Sequence, residues 1–264
     1  MSLRTLCPDR VFYTSIDSRE LTPDITRCFH FNNRMNSFDL DILRFANQFA
    51  FRSTTADHII SAISGLYMTH LVLVAMLWWV WFRGGISARR DREIVIATIV
   101  ASFGALLLGR SLAHWLPFRL RPFANPELAM SFPPNESTTH LLRTWSAFPS
   151  DHAMMWCALA TGIFIASRRL GVVALLYSLL FVCLPRIYLG LHHPTDIVAG
   201  AALGVSICVI CNSTAIRQWI AAPALNWSVR HEGGINVALF LLGFEFASQF
   251  DEIRTLSESF LKHL

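Results

Sequence analysis

Long apolar runs, separated by short clusters of arginine, histidine and proline, set the pattern of this chain. The clearest extends from about Ser61 to Phe82, interrupted only by His70, with Trp78, Trp79 and Trp81 at its far end. About 20 apolar residues span a bilayer, and tryptophan collects at the membrane–water boundary. A second run covers Ile94 to about Gly109 and continues through Arg110 and His114 toward Trp115. Three more follow, from Ala153 to Ser167, Val172 to Leu184 and Ile197 to Cys211. Each is short for a span, so each is predicted to extend into its polar flanks. Between Asp39 and Phe51 apolar and charged positions alternate on a helix too short and too polar to cross, which predicts an interfacial or re-entrant helix. Ser213 to Gly233 reads as amphipathic and loop-like, with Trp219 and Trp227 at an interface. Ile235 to Phe250, which contains Glu245, either forms a sixth span or lies on the surface. Gly200 and Gly204, four apart, have the spacing that lets another helix approach closely. The predicted fold is therefore all-α: a polytopic membrane helical bundle of five or six transmembrane helices plus an interfacial helix.

Composition agrees with this pattern: 53% of the residues are hydrophobic, 15% are charged, and mean hydropathy is +0.44. The net charge of +4 does not indicate nucleic acid, because the arginines are scattered between apolar runs rather than gathered on one face. Arg83, Arg89, Arg90 and Arg92 crowd one short turn and Arg168 and Arg169 another, so the positive-inside tendency predicts both to be cytoplasmic. Alternation then puts the Trp115–Ser150 loop and the residues around His152 and His192 on the extracytoplasmic side. Residues 1–38 read as an extramembrane arm, 39–250 as the membrane domain and 251–264 as a tail. The arm has no apolar signal core, so insertion is expected to be directed by the first span. Cys157, Cys183, Cys208 and Cys211 read as packing residues, and Cys7 and Cys28 could pair only in an oxidising compartment.

Two stretches carry the candidate chemistry, Phe148-Pro149-Ser150-Asp151-His152 and Pro185 to Asp196. Each sets histidine beside a predicted helix start, where free backbone N–H groups and the dipole favour an anion. Ser150 suits the N-cap, and its hydroxyl can help line an oxyanion cradle. His152, in the first turn, can protonate a leaving oxygen. Pro194 suits the first position of the second helix. Asp196, four residues after His192, can reach its Nδ1–H and leave Nε2 as a nucleophile. Arg186 and Arg121 offer guanidinium forks for phosphate oxygens. His193 reads as a neighbour, His58 and His70 as interfacial or packing residues, and Asp151 as a helix N-terminal acid or an arginine partner.

Taken in order, Arg121-Pro122, Pro149-Ser150-x-His152 and Arg186-x5-His192-x3-Asp196 resemble the three-part signature of the phosphatidic acid phosphatase type 2 and vanadium haloperoxidase superfamily. The resemblance covers about Arg110 to Gly204. The wording Phe-Pro-Ser-Asp-His, with Asp151 where many members have glycine, looks most like the bacterial undecaprenyl-diphosphate phosphatases of that superfamily. It implies a lipid phosphatase in a bacterial inner membrane, its site facing the periplasm, with membrane lipids around it, a lipid phosphate or diphosphate as substrate, and no metal, cofactor or nucleic acid. His192 would be the nucleophile, Asp196 its orienting partner and His152 the acid and base. Arg121, Arg186 and Ser150 would hold phosphoryl oxygens. One departure stands out: the lysine that the family places seven residues before the arginine is His114 here, and the only lysine in the chain is Lys262. The missing charge is expected from His114, Arg110 or Arg119. A lipid phosphotransferase using the same phosphohistidine, and a non-enzymatic membrane subunit or lipid transporter, are the rival readings.

Overall fold

The computed structural model describes residues 36–133 and 145–248. The arm to Arg34 with Cys7 and Cys28, Pro134-Asn135, and the tail lie outside the described residues. Among those described there are helices and no strands. They are α1 (Ser37–Asn47), α2 (Thr54–Gly65), α3 (Tyr67–Phe82), α4 (Ala88–Trp115), α5 (Asp151–Ala166), α6 (Arg168–Tyr188), α7 (Pro194–Cys211), α8 (Thr214–Ser228) and α9 (Glu232–Ala247). Within α6, residues Ser178–Cys183 form a π-helical segment. Among the described residues α4, α6 and α7 are long and apolar enough to cross a membrane, and α2 with α3 adds a fourth if the bent pair is one span.

Helix α5 is the axis of the bundle. It packs against α4, α6 and α7, so it lies at the depth of the spans although it has only 16 residues. Met154, Met155, Trp156, Leu159 and Ile163 on it are fully buried. The outward faces carry Phe103, Leu107, Val172, Leu176, Leu180, Val198 and Val209, all exposed. An apolar exterior around a packed interior is what a lipid solvent selects. This is a membrane protein.

Small residues set the spacing of α7 against α5. A Cβ on Gly200 would meet the Ser150 carbonyl oxygen at 2.5 Å, and one on Gly204 the Met154 carbonyl at 2.0 Å. The glycine spacing therefore marks a true close approach, and it brings the start of α7 beside the start of α5.

Three sequence expectations need correction. The run from Ser61 to Phe82 is broken at Leu66, where α2 and α3 meet at 51°. Leu66 is extended, and the Thr69 hydroxyl donates to the Ile63 carbonyl at 2.9 Å, so the polar backbone freed by the break has a partner. Ser213 to Gly233 is mostly helical, not loop-like, even with Pro223 inside α8. Packing on α4 and the Arg217 bond to the Asn212 carbonyl at 3.0 Å hold it there. The helix predicted from Asp39 to Phe51 stops at Asn47, and Phe51 adopts a left-handed φ of 61°. The last apolar run is helix α9, which packs on α3, with Gly243 against Val74 and Trp78.

The two ends of the bundle differ. At one end Arg83 Nε pairs with Asp91 at 2.7 Å, and its Nη2 donates to the Ala166 carbonyl at 2.8 Å. The two arginine-rich turns thus lie together. His152 stands at the opposite end of α5 from these turns, beside the start of α7 that carries His192 and His193.

Candidate active site

The loop between α6 and α7 is held from three directions. The backbone N–H groups of Leu191 and His192 donate to the Arg186 carbonyl, at 2.8 and 3.3 Å. Gly190 has a φ of +66°, a conformation that glycine tolerates and that packs its Cα side against the Phe132 ring. Its carbonyl accepts from Phe123 N–H at 3.0 Å, which docks the short turn Pro122–Ala124. Pro122 is the first residue of that turn, so Arg121 is delivered directly to His192.

His192 is buried, and its Nδ1 lies 2.8 Å from the Ala147 carbonyl oxygen. A carbonyl only accepts, so Nδ1 carries the proton and Nε2 of the neutral ring keeps its lone pair. Arg121 Nη1 sits 3.3 Å from that Nε2 and also donates to the Leu191 carbonyl at 2.8 Å. Burial first, then the charges of Arg121 and Arg186, hold the His192 imidazole well below the ordinary histidine range, against the opposing effects of Asp151 and the Ala147 carbonyl. The ring is therefore neutral at pH 7. Burial also pushes the Arg121 guanidinium down, but an arginine starts high enough to stay charged. Arg121 and Arg186 are both buried, and the Nε of each has no hydrogen-bond partner among the described residues.

Asp196 does not hold His192 as the spacing suggests. Its Oδ2 is 3.9 Å from His192 Nδ1, while it accepts from the backbone N–H of His193 at 2.7 Å and faces His193 Nδ1 at 3.1 Å. The cause is helix geometry: at the third position of α7 its carboxylate turns back onto the N-cap, the ordinary capping contact. Its other oxygen pairs with Arg119. Arg119 also donates to Asp39 Oδ2 at 2.7 Å and to the Thr195 hydroxyl at 2.9 Å. Asp39, fully buried, accepts in addition from Thr195 N–H at 2.8 Å and from its hydroxyl at 2.7 Å. Arg119 is thus committed to two buried carboxylates and fastens α1 over the start of α7.

Ser150 caps α5 as expected: its Oγ accepts from Ala153 N–H at 3.4 Å, and its own N–H donates to the Asp196 carbonyl at 3.1 Å. Because the hydroxyl oxygen is the acceptor in the cap, its proton remains a donor. His152 Nδ1 lies 2.8 Å from Asp151 Oδ1. His70 on α3 stacks on Trp156 with ring centroids 4.7 Å apart and comes within 6.3 Å of the His152 ring.

The structure therefore brings Arg121, Arg186 and His192 together, and the Ser150–Asp196 bond joins the starts of α5 and α7 beside them. It leaves His114 apart: the imidazole stands exposed in the last turn of α4, with no hydrogen bond to the cluster. One turn earlier, Arg110 Nε lies 3.7 Å from Asp151 Oδ2. Two contributors escaped the sequence reading. Asp39 sits 156 residues before its Thr195 partner. The Ala147 carbonyl has no side-chain signature. His70, read from the sequence as an interfacial or packing residue, is buried and packs on Trp156.

The PAP2 superfamily model matches residues 92–219, which contain all three motifs. The chain is 26% identical over 171 residues to the bacitracin transport permease protein BcrC of Bacillus licheniformis, covering 64% of this chain and 77% of that protein. It is 26% identical over 118 residues to an undecaprenyl-diphosphatase of Sulfolobus acidocaldarius, covering 44% of this chain and 52% of that protein, about half its length. The crystal structure of a transmembrane PAP2-type phosphatidylglycerolphosphate phosphatase from Bacillus subtilis superposes with a TM-score of 0.44 at 19% identity, covering 68% of this chain and 86% of that one.

Proposed function

We propose, for a chain whose residues 92–219 belong to the PAP2 superfamily, that it hydrolyses a lipid phosphate or diphosphate through a phosphohistidine on His192, with undecaprenyl diphosphate the favoured substrate. One observation carries the proposal. Two buried arginines whose Nε–H donors are unpaired among the described residues flank a histidine whose Nε2 bears a lone pair. Buried donors without acceptors call for an anion, and a planar guanidinium suits phosphate.

In this reading Nε2 of His192 forms a bond to phosphorus while the phosphorus–oxygen bond to the leaving group breaks. The electron pair goes to the leaving oxygen, which takes a proton from Nε2–H of His152. His152 then accepts a proton from water as the water oxygen attacks phosphorus and the phosphorus–nitrogen bond breaks. Arg121, Arg186 and the Ser150 hydroxyl hold the phosphoryl oxygens, and no metal ion is assigned to either step. Positioning and charge stabilisation are what phosphoryl transfer mainly requires. Asp196 contributes by fixing the start of α7 through His193 and Arg119.

The site lies at the end of the bundle opposite the arginine-rich turns. By the positive-inside tendency it faces away from the cytoplasm, which supports a periplasm-facing site in a bacterial inner membrane. The decisive experiment is phosphate release from undecaprenyl diphosphate by the purified protein. His192→Ala should abolish it together with an acid-quenched phosphoenzyme, and retained turnover would refute the proposal. Transfer of the phosphoryl group to an added acceptor lipid, in place of water, would identify a phosphotransferase.

A further inference from the structure

Asp151 has two bland explanations, a helix N-terminal acid favoured by the dipole and a partner for an arginine. Its contacts go further. Oδ1 accepts from the backbone N–H of His152 at 2.8 Å and lies 2.8 Å from the same residue's Nδ1. An ionised carboxylate only accepts, so this contact keeps a proton on Nδ1. Oδ2 lies 3.7 Å from Arg110 Nε on α4, so both oxygens of the carboxylate are held from different elements. Helix α4 approaches closely here, since a Cβ on Gly109 would meet the Asp151 Cα at 3.2 Å. Among the described residues His70 on α3 also faces His152, with ring centroids 6.3 Å apart, a contact that fixes no ring nitrogen.

We infer that Asp151 is a positioning residue: held by Arg110, it locks His152 in the Nδ1–H form, so that Nε2 is the nitrogen that gives a proton to the leaving oxygen and later takes one from water. The inference rests on the phosphatase reading above. In the first step His152 is an imidazolium with Nδ1–H on Asp151 and Nε2–H on the leaving oxygen. After transfer it is neutral, still Nδ1–H, and Nε2 has the lone pair that the water proton needs. Without the carboxylate the neutral ring can place its proton on Nε2 instead, and that form cannot act as the base. This is the logic by which a carboxylate orients a catalytic histidine elsewhere.

The test compares Asp151→Asn and Asp151→Gly with wild type, all as full-length protein in detergent, by phosphate release from undecaprenyl diphosphate. The glycine variant should lose about 10²-fold in kcat with KM within about threefold, and the asparagine variant, which keeps an acceptor but not the charge, should lose about tenfold. A role confined to the helix dipole would treat the two variants alike, because both remove the same charge. Equal losses, a change in KM alone, or wild-type kcat in the asparagine variant would overturn the inference. If the glycine variant does not fold, the nearly isosteric asparagine variant still decides. An inert wild-type protein would instead refute the phosphatase reading and this role with it, whereas an active wild type with unaffected variants refutes only the role of Asp151.

Discussion

Gly200→Ala asks whether the contact of α7 with α5 positions the chemistry or merely packs the bundle. The added Cβ would lie 2.5 Å from the Ser150 carbonyl oxygen, 3.2 Å from Ala153 Cβ and 3.4 Å from Met154 Cγ. The last two are tolerable, but the first is not. That carbonyl also accepts the Met154 N–H at 3.0 Å within α5, so it cannot swing away without opening the first turn of the helix. Ordinary contact begins near 3.4 Å, so the two backbones must part by about 0.9 Å. Overpacking of this kind costs about 1–3 kcal/mol, while alanine in place of a helical glycine returns roughly 0.8–1 kcal/mol. The net loss of stability is therefore small, about 0–2 kcal/mol. Activity is the sensitive readout. The separation falls one turn from Asp196, whose carbonyl accepts the Ser150 N–H, and a displacement of about 1 Å in a reacting site costs on the order of 10² in rate. We expect kcat for phosphate release to fall by about that factor while the Tm in detergent drops by only a few degrees. A variant with a lowered Tm and wild-type kcat would show that the glycine contact serves packing alone, and the argument from spacing to chemistry would fail.

Other substitutions read separate parts of the assembly. Asp39→Ala removes the acceptor shared by Arg119, the Thr195 N–H and the Thr195 hydroxyl, and breaking such a buried group should cost about 3 kcal/mol, visible as a lower Tm; an unchanged Tm would mean that α1 contributes nothing to the bundle. His114→Ala should leave KM within about twofold, since the imidazole is exposed and outside the cluster; a large rise in KM would reinstate it as the substitute for the missing lysine. The acid limb of kcat/KM set by His192 should lie below about pH 6.5, because burial and the two arginines favour its neutral form. The sign carries over to stability: the unfolded chain binds this proton more readily, so the contribution is present above about pH 6.5 and lost as the pH falls. A kcat/KM profile whose acid limb lies at or above about pH 6.5 would contradict the burial argument.

Most of the fold was legible because lipid imposes a simple rule on composition, and spans announce themselves as apolar runs. The short runs from Val172 and Ile197 became helices of spanning length by taking in their flanks, Arg186 and Pro194 to Asp196 among them, whereas the run from Ala153 took in Asp151 and His152 and remains a helix of 16 residues. The break at Leu66 was not legible, because Gly65 and Leu66 sit in a run that reads equally well as continuous helix, and only the Thr69 contact shows how the bend is satisfied. Helix α8 was misread for the opposite reason: its local sequence, with Pro223, argues against a helix that packing on α4 and the Arg217 anchors impose.

At the site, ordered motifs identified which side chains matter but not which atoms they touch. His192 and Asp196 are four apart, and spacing alone pairs them; in three dimensions Asp196 is taken by the N-cap and by Arg119, and His192 turns to a backbone carbonyl. Both arrangements put the proton on Nδ1 and the lone pair on Nε2, so the inferred chemistry survives the change of partner. The consequence for mutation does not. A backbone acceptor cannot be deleted by changing Ala147, so the tautomer of His192 is protected against substitution, whereas Asp196 variants should act through the placement of α7. Asp196→Asn, which can keep the acceptor to the His193 N–H but lacks the charge facing Arg119, should therefore lower the Tm and kcat together and leave the acid limb of His192 in place. A shifted limb with an unchanged Tm would return Asp196 to the role that its spacing first suggested.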